Sequence, residues 1–285
     1  MLVFPGQIYT SMKNIYSYFD LRGRTALVTG AAGLLGMEFC RTLGEAGAAV
    51  VLADVQFAAA EEVAETLARV GLQTLPVQMD VTNPTSVNAA VQAALEQYGR
   101  LDILVNSAAL DPKFDPENQE NLTRGDFETY PLPAWQQALD VNLTGMFLTC
   151  QAAVKPMLAQ GSGVIINICS IYGLVGPDQR LYERPDAPRN YKPVYYSVTK
   201  AGVLGLTRYL ATYYAGKNIR INALTPGGVF NQHDEVFLQA YAARTVLGRM
   251  AEKDEMNGAL LFLASDASAY MTGANLVVDG GWSAW

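Results

Sequence analysis

From residue 25 onward the chain alternates short β-rich apolar runs with longer runs whose apolar residues return every three or four positions. The strand-like runs are 25–29 (TALVT), 49–53 (AVVLA), 74–79 (TLPVQM), 101–106 (LDILVN), 163–169 (GVIINIC), 220–224 (RINAL) and 275–281 (NLVVDGG). The helical runs fall at 33–46, 58–70, 84–98, 134–159, 195–215 and 252–264. Strands that are Val/Ile/Leu-rich along their length, without a polar alternate, are buried on both faces, and a helix between successive strands makes them parallel. The pattern therefore predicts an α/β chain with a doubly wound parallel sheet. Nothing like a linker divides 285 residues that are 50% hydrophobic, so one large domain spanning 19–285 is expected, preceded by a short arm at 1–18.

Charge and cysteine content narrow the partners. A net charge of −7 with no basic stripe leaves nothing to neutralise nucleic-acid phosphates or an anionic membrane, which points to a small soluble ligand. Cys40, Cys150 and Cys169 are odd in number and lack C-x-x-C spacing, so neither a disulfide framework nor a metal site is expected, and a cytoplasmic location fits best. The first residues lack a basic start followed by an apolar core, and no run has the length of a membrane span. The triplets beginning at Asn121 and Asn142 match a glycosylation pattern but, without a secretory signal, are read as chance.

Two local patterns carry chemistry. Residues 29–36, TGAAGLLG, follow the first strand and open the first helix, where glycines let the backbone approach a pyrophosphate met by free N–H groups and the positive helix end. Asp54 ends the second strand, at the distance where a carboxylate accepts from the ribose hydroxyls of an adenosine; its alternative use is as a turn or helix cap. A carboxylate there repels a 2′-phosphate, and neither the glycine loop nor positions 55 and 56 carry Lys or Arg, so NAD is preferred over NADP. Further on, PVYYSVTK (193–200) opens a helix that places Tyr196 about 40° around the axis from Lys200 and one turn below it, whereas Tyr195 is turned about 140° away.

With TGAAGLLG and YSVTK in order with MDV, VNSAA, VNLTG, INICS, NALTPGGV and VVDGG, residues 19–285 resemble the short-chain dehydrogenase/reductase family in its compact, Rossmann-type subgroup. The resemblance implies an NAD(P)-dependent oxidoreductase interconverting a secondary alcohol and a ketone, with Tyr196 as acid/base and Lys200, Ser170 and Asn142 completing the catalytic set. It places the dinucleotide against Gly30, Gly33, Leu35 and Gly36, then Asp54, Asp80 and Val81, then Asn106 and Ala108, then Tyr196 and Lys200, and finally Pro226, Gly227 and Val229. Chemically, an ammonium one turn away and a positive nicotinamide bring a phenol toward its working range, Ser170 donates to the substrate oxygen, and Asn142 holds a water that links Lys200 to solvent.

The chain departs from the subgroup pattern in places. Its glycines are spaced G-x-x-G-x-x-G with Leu34 at the usual middle glycine, a spacing like that of epimerases and dehydratases; N-S-A-A stands for N-N-A-G, and Asn231 for a common threonine. The 25 residues between Ser170 and Tyr196 and the segment after Asn106 are long, polar and tyrosine-containing. As active-site insertions near 173–194 and 110–132 they suit a sugar or polyol, and a further resemblance to members associated with surface-sugar biosynthesis agrees. Tyr172, Arg180, Arg184 and His233 are the expected substrate contacts, with Arg180, Arg184, Arg189 and Lys192 read as a lid for an acidic or phosphorylated sugar or, alternatively, as local ion pairs. The alternatives are an acyl or aromatic-diol reductase, epimerase-like chemistry, or a non-catalytic dinucleotide-binding protein. A homodimer or homotetramer is expected from helices that are apolar beyond one stripe.

Overall fold

The computed structural model describes residues 14–111, 125–184 and 188–285. Residues 1–13 of the expected arm, 112–124 of the expected 110–132 insertion, and 185–187 lie outside them. In chain order the elements are β1 (Thr25–Thr29), α1 (Leu34–Glu45), β2 (Ala49–Asp54), α2 (Phe57–Arg69), β3 (Thr74–Gln78), α3 (Pro84–Tyr98), β4 (Ile103–Asn106), α4 (Leu132–Leu139), α5 (Gly145–Gln160), β5 (Gly163–Ile168), α6 (Val194–Tyr213), β6 (Ile219–Pro226), α7 (Glu235–Ala242), α8 (Asn257–Ala264) and β7 (Asn275–Val278).

The strands form one parallel sheet in the order β3-β2-β1-β4-β5-β6-β7. Alternation along each strand divides the core. Leu27, Val51, Leu104, Ile165 and Ile221 face the side covered by α3, α5 and α6. Val28, Val50, Leu52, Ile103 and Ile166 face α1, α2 and α8. Burial on both faces is why these runs carry no polar alternate, and truncating a fully buried member such as Ile165 to alanine costs about 2–5 kcal/mol. Helix ends follow local chemistry: Asn83 accepts from the amides of Thr85 and Ser86 ahead of α3, Pro84 occupies its first turn, and Gly99 ends it at φ 74°.

Two elements differ from the sequence reading. The expected single helix at 134–159 is α4 and α5 joined by a π turn, Asp140–Thr144, whose extra residue shifts the faces of the two halves. Helix α7 was not expected; Asp234 caps it by accepting from the Phe237 amide at 3.0 Å. The carboxyl ends of β1 and β4 lie side by side, Thr29 opposite Asn106, at the point where the chain order reverses, and β2 and β5 flank them. In doubly wound sheets that crevice is where ligands bind.

Candidate active site

The crevice is shaped by backbone approaches that only glycine allows. Gly30 sits at φ 66°, and a Cβ on it would stand 2.8 Å from the Cα of Ala108. At Gly36 a Cβ would fall 2.0 Å from the carbonyl oxygen of Gly30, so the loop folds back onto the start of α1. Gly33 is the N-cap of that helix, and the first-turn amides, those of Leu34 and Leu35 among them, have no acceptor within the helix. The other wall is pinned by Thr29, whose Oγ1 accepts from the amides of Ser107 and Ala108, each at 3.1 Å. Asp54 accepts from the amides of Ala32 and Gln56, both at 3.0 Å, which fixes its carboxylate between the glycine loop and α2.

Other expected cofactor residues occupy different surroundings. Asp80 is exposed and accepts from the amide and hydroxyl of Thr82 at 2.9 and 2.7 Å. The Val81 side chain is buried against Gly145, where an added Cβ would meet it at 2.7 Å. The Asn106 side chain is buried inside the sheet, donating to Asn167 Oδ1 at 2.9 Å and accepting from Thr149 at 2.6 Å, so it braces β4 against β5 and α5 at the strand end that meets the crevice. Asn167 passes the chain of bonds on to Thr207 of α6 at 3.0 Å. The sequence reading did not single out Asn167; a lone amide within an apolar strand was the available signal, because a buried amide requires partners.

Near the carboxyl end of β5, Ser170 accepts from the Tyr172 amide at 3.2 Å, and its hydroxyl lies on the side of the turn that faces Tyr196. Gly173 allows this turn to lie on α6, since a Cβ there would sit 2.7 Å from the Lys200 carbonyl carbon. Lys200 is buried; its Nζ donates to the Ile168 carbonyl at 2.9 Å and lies 5.7 Å from the centre of the Tyr196 ring. Burial pushes the Tyr196 phenol well above its usual range, Asp111 adds to the shift, and the neighbouring Ser170 hydroxyl opposes it. Burial likewise lowers Lys200. Tyr195 faces elsewhere, toward Tyr130 at 6.1 Å between ring centres. Cys169 is buried and donates to the Lys200 carbonyl at 3.2 Å.

Asn142 lies in the π turn between α4 and α5. Its amide meets the peptide of Leu110 from both sides, accepting at 2.6 Å and donating at 3.0 Å, with Thr199 Oγ1 a further acceptor at 3.3 Å. The side chain thus ties the segment after β4 to the π turn.

An aromatic wall closes the outer side. Tyr172 lies edge-on to Tyr196 at 6.5 Å, and its hydroxyl is 3.2 Å from that of Tyr182. Tyr182 meets Phe237, on which His233 stacks at 4.8 Å, and Phe237 continues to Tyr241 and Trp282. The Tyr241 hydroxyl accepts from the Gly228 amide and so holds the loop after β6; sequence offered no signal for that role. In the same loop Pro226 ends β6, Gly227 runs against Asp279 with room for no Cβ, and Val229 bridges to Ala251.

The expected lid cations are unequal. Arg180 is held on two sides by Asp178, Arg184 by Asp234 and the carbonyls of Leu181 and Glu183, and Arg189 by Glu183. Acidic neighbours thus hold Arg180 within its own segment and Arg184 against the α7 cap. Lys192 alone of this set has its head group over the Tyr196 ring, and it pairs with Asp111, a residue the sequence reading passed over.

Known proteins share this architecture. A family model described as enoyl-(acyl carrier protein) reductase matches residues 30–283. Cis-4-hydroxycyclohexanecarboxylate dehydrogenase of Sinomonas cyclohexanicum is 37% identical, over 92% of this chain and 97% of that protein. The chain belongs to the short-chain dehydrogenase/reductase family. Within it, galactitol 2-dehydrogenase (L-tagatose-forming) of Cereibacter sphaeroides is 35% identical over 94% of this chain and 98% of its own. The crystal structure of a gluconate 5-dehydrogenase from Burkholderia cenocepacia, in complex with NADP and tartrate, superposes with a TM-score of 0.82 at 31% identity, covering 95% of this chain and 100% of that one. The chain is thus an oxidoreductase of CH–OH groups that uses a nicotinamide dinucleotide to interconvert a secondary alcohol and a ketone. Among the described residues no helix is long and apolar enough to cross a membrane.

Proposed function

We propose that the protein is an NAD-preferring dehydrogenase of a small polyhydroxylated or ring alcohol, with Tyr196 as its acid/base. The observation that carries this reading is the convergence of the Ser170 hydroxyl, the Tyr196 phenol and the buried Lys200 ammonium at the carboxyl end of β5, beside the glycine-lined crevice. The crevice suits a dinucleotide: Gly30 and Gly36 leave a cradle that any Cβ would fill, the first turn of α1 has amides with no acceptor in the helix, and Asp54 is held beside the glycine loop at the end of β2, a position that suits ribose hydroxyls. When bound, the nicotinamide accepts hydride from the substrate carbon or returns it.

Each residue then has a separate task. Tyr196 takes the hydroxyl proton during oxidation and returns it during reduction. Ser170 donates to the substrate oxygen as negative charge develops there. Lys200 brings positive charge to the buried phenol and is placed to hold the nicotinamide ribose. Burial of Tyr196 outweighs the lowering by Ser170, and an oxidised nicotinamide, when bound, would bring further positive charge toward the phenol. Asp54, without a Lys or Arg at positions 55 and 56, supports NAD over NADP.

Substrate class rests on the tyrosine-rich wall, which offers ring faces and hydroxyls together, and on relatives named for galactitol and for a hydroxylated ring acid. A homodimer or homotetramer in a reducing cytoplasm completes the reading; the three cysteines are free and buried. The test is NADH formation across polyols, sugars, sugar acids, ring alcohols and a steroid alcohol. Fastest turnover is expected on a polyol or small ring alcohol, with NADP at least about tenfold poorer, equivalent to about 1.4 kcal/mol. Turnover confined to the steroid, or equal use of both cofactors, contradicts the assignment.

A further inference from the structure

The basic residues before α6 divide into those paired away from the phenol and one whose head group lies over its ring. Arg180, paired with Asp178, has a side chain 72% exposed, whereas that of Lys192 is 12% exposed, with its ammonium 4.1 Å from the centre of the Tyr196 ring. Its position is built in. The Gln179 side chain accepts from the Lys192 amide at 2.8 Å and donates to its carbonyl at 3.2 Å. The preceding Tyr191 carbonyl packs so closely on Gly125, which sits at φ 77°, that a Cβ there would approach within 2.6 Å. Across the mouth, the ammonium pairs with Asp111 in the segment after β4, and the Asp111 side chain is 51% exposed.

The pair places a donor and an acceptor side by side over the reacting phenol. An ammonium has three N–H donors, of which Asp111 takes one; a carboxylate has about four acceptor positions, and the exposed side of Asp111 keeps some of them open. A hydroxyl donates and accepts at once, so it bridges such a pair without breaking it. A substrate carboxylate would have to displace Asp111 from Lys192 and would leave two like charges at one lip of the site.

We propose that Lys192 and Asp111 form the specificity pair of this enzyme, gripping a hydroxyl on the carbon next to the reacting one, so that the preferred substrate is a neutral vicinal polyol and not a hydroxy acid. The inference rests on Tyr196 being the acid/base and deepens that reading by naming what its pocket selects.

The test compares galactitol and threitol with cyclohexanol, which has no neighbouring hydroxyl, and with gluconate, a hydroxy acid. The unmodified enzyme should favour the two polyols in kcat/KM. Lys192→Met and Asp111→Asn should each lower polyol kcat/KM by about tenfold or more, chiefly through KM, and should lower the cyclohexanol value several-fold less. NADH affinity, read by fluorescence titration, should hold in both variants and certifies the fold. If Lys192→Met fails to bind NADH, the same comparison is read in Lys192→Gln. Equal losses on polyol and cyclohexanol, absence of polyol turnover by the unmodified enzyme, or gluconate as the preferred substrate would each overturn the proposal. Failure of the underlying reading registers separately, as a Tyr196→Phe variant that keeps full activity on all four compounds.

Discussion

Tyr196 was distinguishable from Tyr195 in the sequence because helix geometry alone puts the former beside Lys200, and in the structure the two rings do face different neighbours, Tyr196 toward Ser170 and Tyr172, Tyr195 toward Tyr130. The directions of Asn106 and Asn142 were not legible, because each is set by partners far away in the chain, Asn167 and Leu110. Burial of Tyr196 has a signed consequence for pH. The phenol is held above its ordinary range, and oxidation needs it deprotonated. Oxidative kcat/KM should therefore rise as pH increases from neutral, while reductive kcat/KM, which needs the proton in place, stays level and falls only at alkaline pH. Steady-state profiles in both directions check this, and an oxidative rate that declines from neutral upward contradicts it.

At the scale of elements, the strands and most helices were readable from period and caps, and the glycine loop from its place between β1 and α1. Helix α7 was missed because eight residues supply too few repeats for a period to show, although Asp234 was present as its cap. The π turn was missed because one extra residue leaves no sequence mark. The unusual G-x-x-G-x-x-G spacing is accounted for by packing: Leu34 begins α1, while Gly36 is the position where the loop carbonyl comes closest. Gly36→Ala should destabilise the protein by about 3 kcal/mol or more and abolish NADH binding, checked by denaturant unfolding and fluorescence titration. A variant with unchanged stability and affinity would mean that the loop relaxes away from Gly30 at little cost. At the end of β2, Asp54→Ala should weaken NAD binding and narrow the gap to NADP, measured by titrating both; an unchanged ratio removes Asp54 from cofactor choice.

The molecule as a whole brings the carboxyl ends of β1, β2, β4, β5 and β6 to one edge, a consequence of uniformly parallel strands that alternation in the sequence already implied. Sequence could not show how the 173–194 segment returns over that edge, because its anchors, Asp234 for Arg184 and Asp111 for Lys192, lie in separate loops. Exposed apolar side chains remain on α5 (Phe147, Leu158) and α6 (Val198, Tyr209, Tyr213), and they account for the proposed association into dimers or tetramers. Light scattering at micromolar concentration should give a mass at least twice the 30.8 kDa of one chain, and a monomer alone contradicts it. The central claim, that this fold positions Tyr196 to move the substrate proton, is tested most directly by NADH formation from a polyol by the unmodified enzyme, Tyr196→Phe and Tyr195→Phe, with NADH affinity measured in each. The account predicts a loss of about 10²–10⁴-fold for Tyr196→Phe at nearly unchanged NADH affinity, and a far smaller loss for Tyr195→Phe. A Tyr196→Phe enzyme that turns over normally, or a Tyr195→Phe enzyme that is the more damaged of the two, would contradict it.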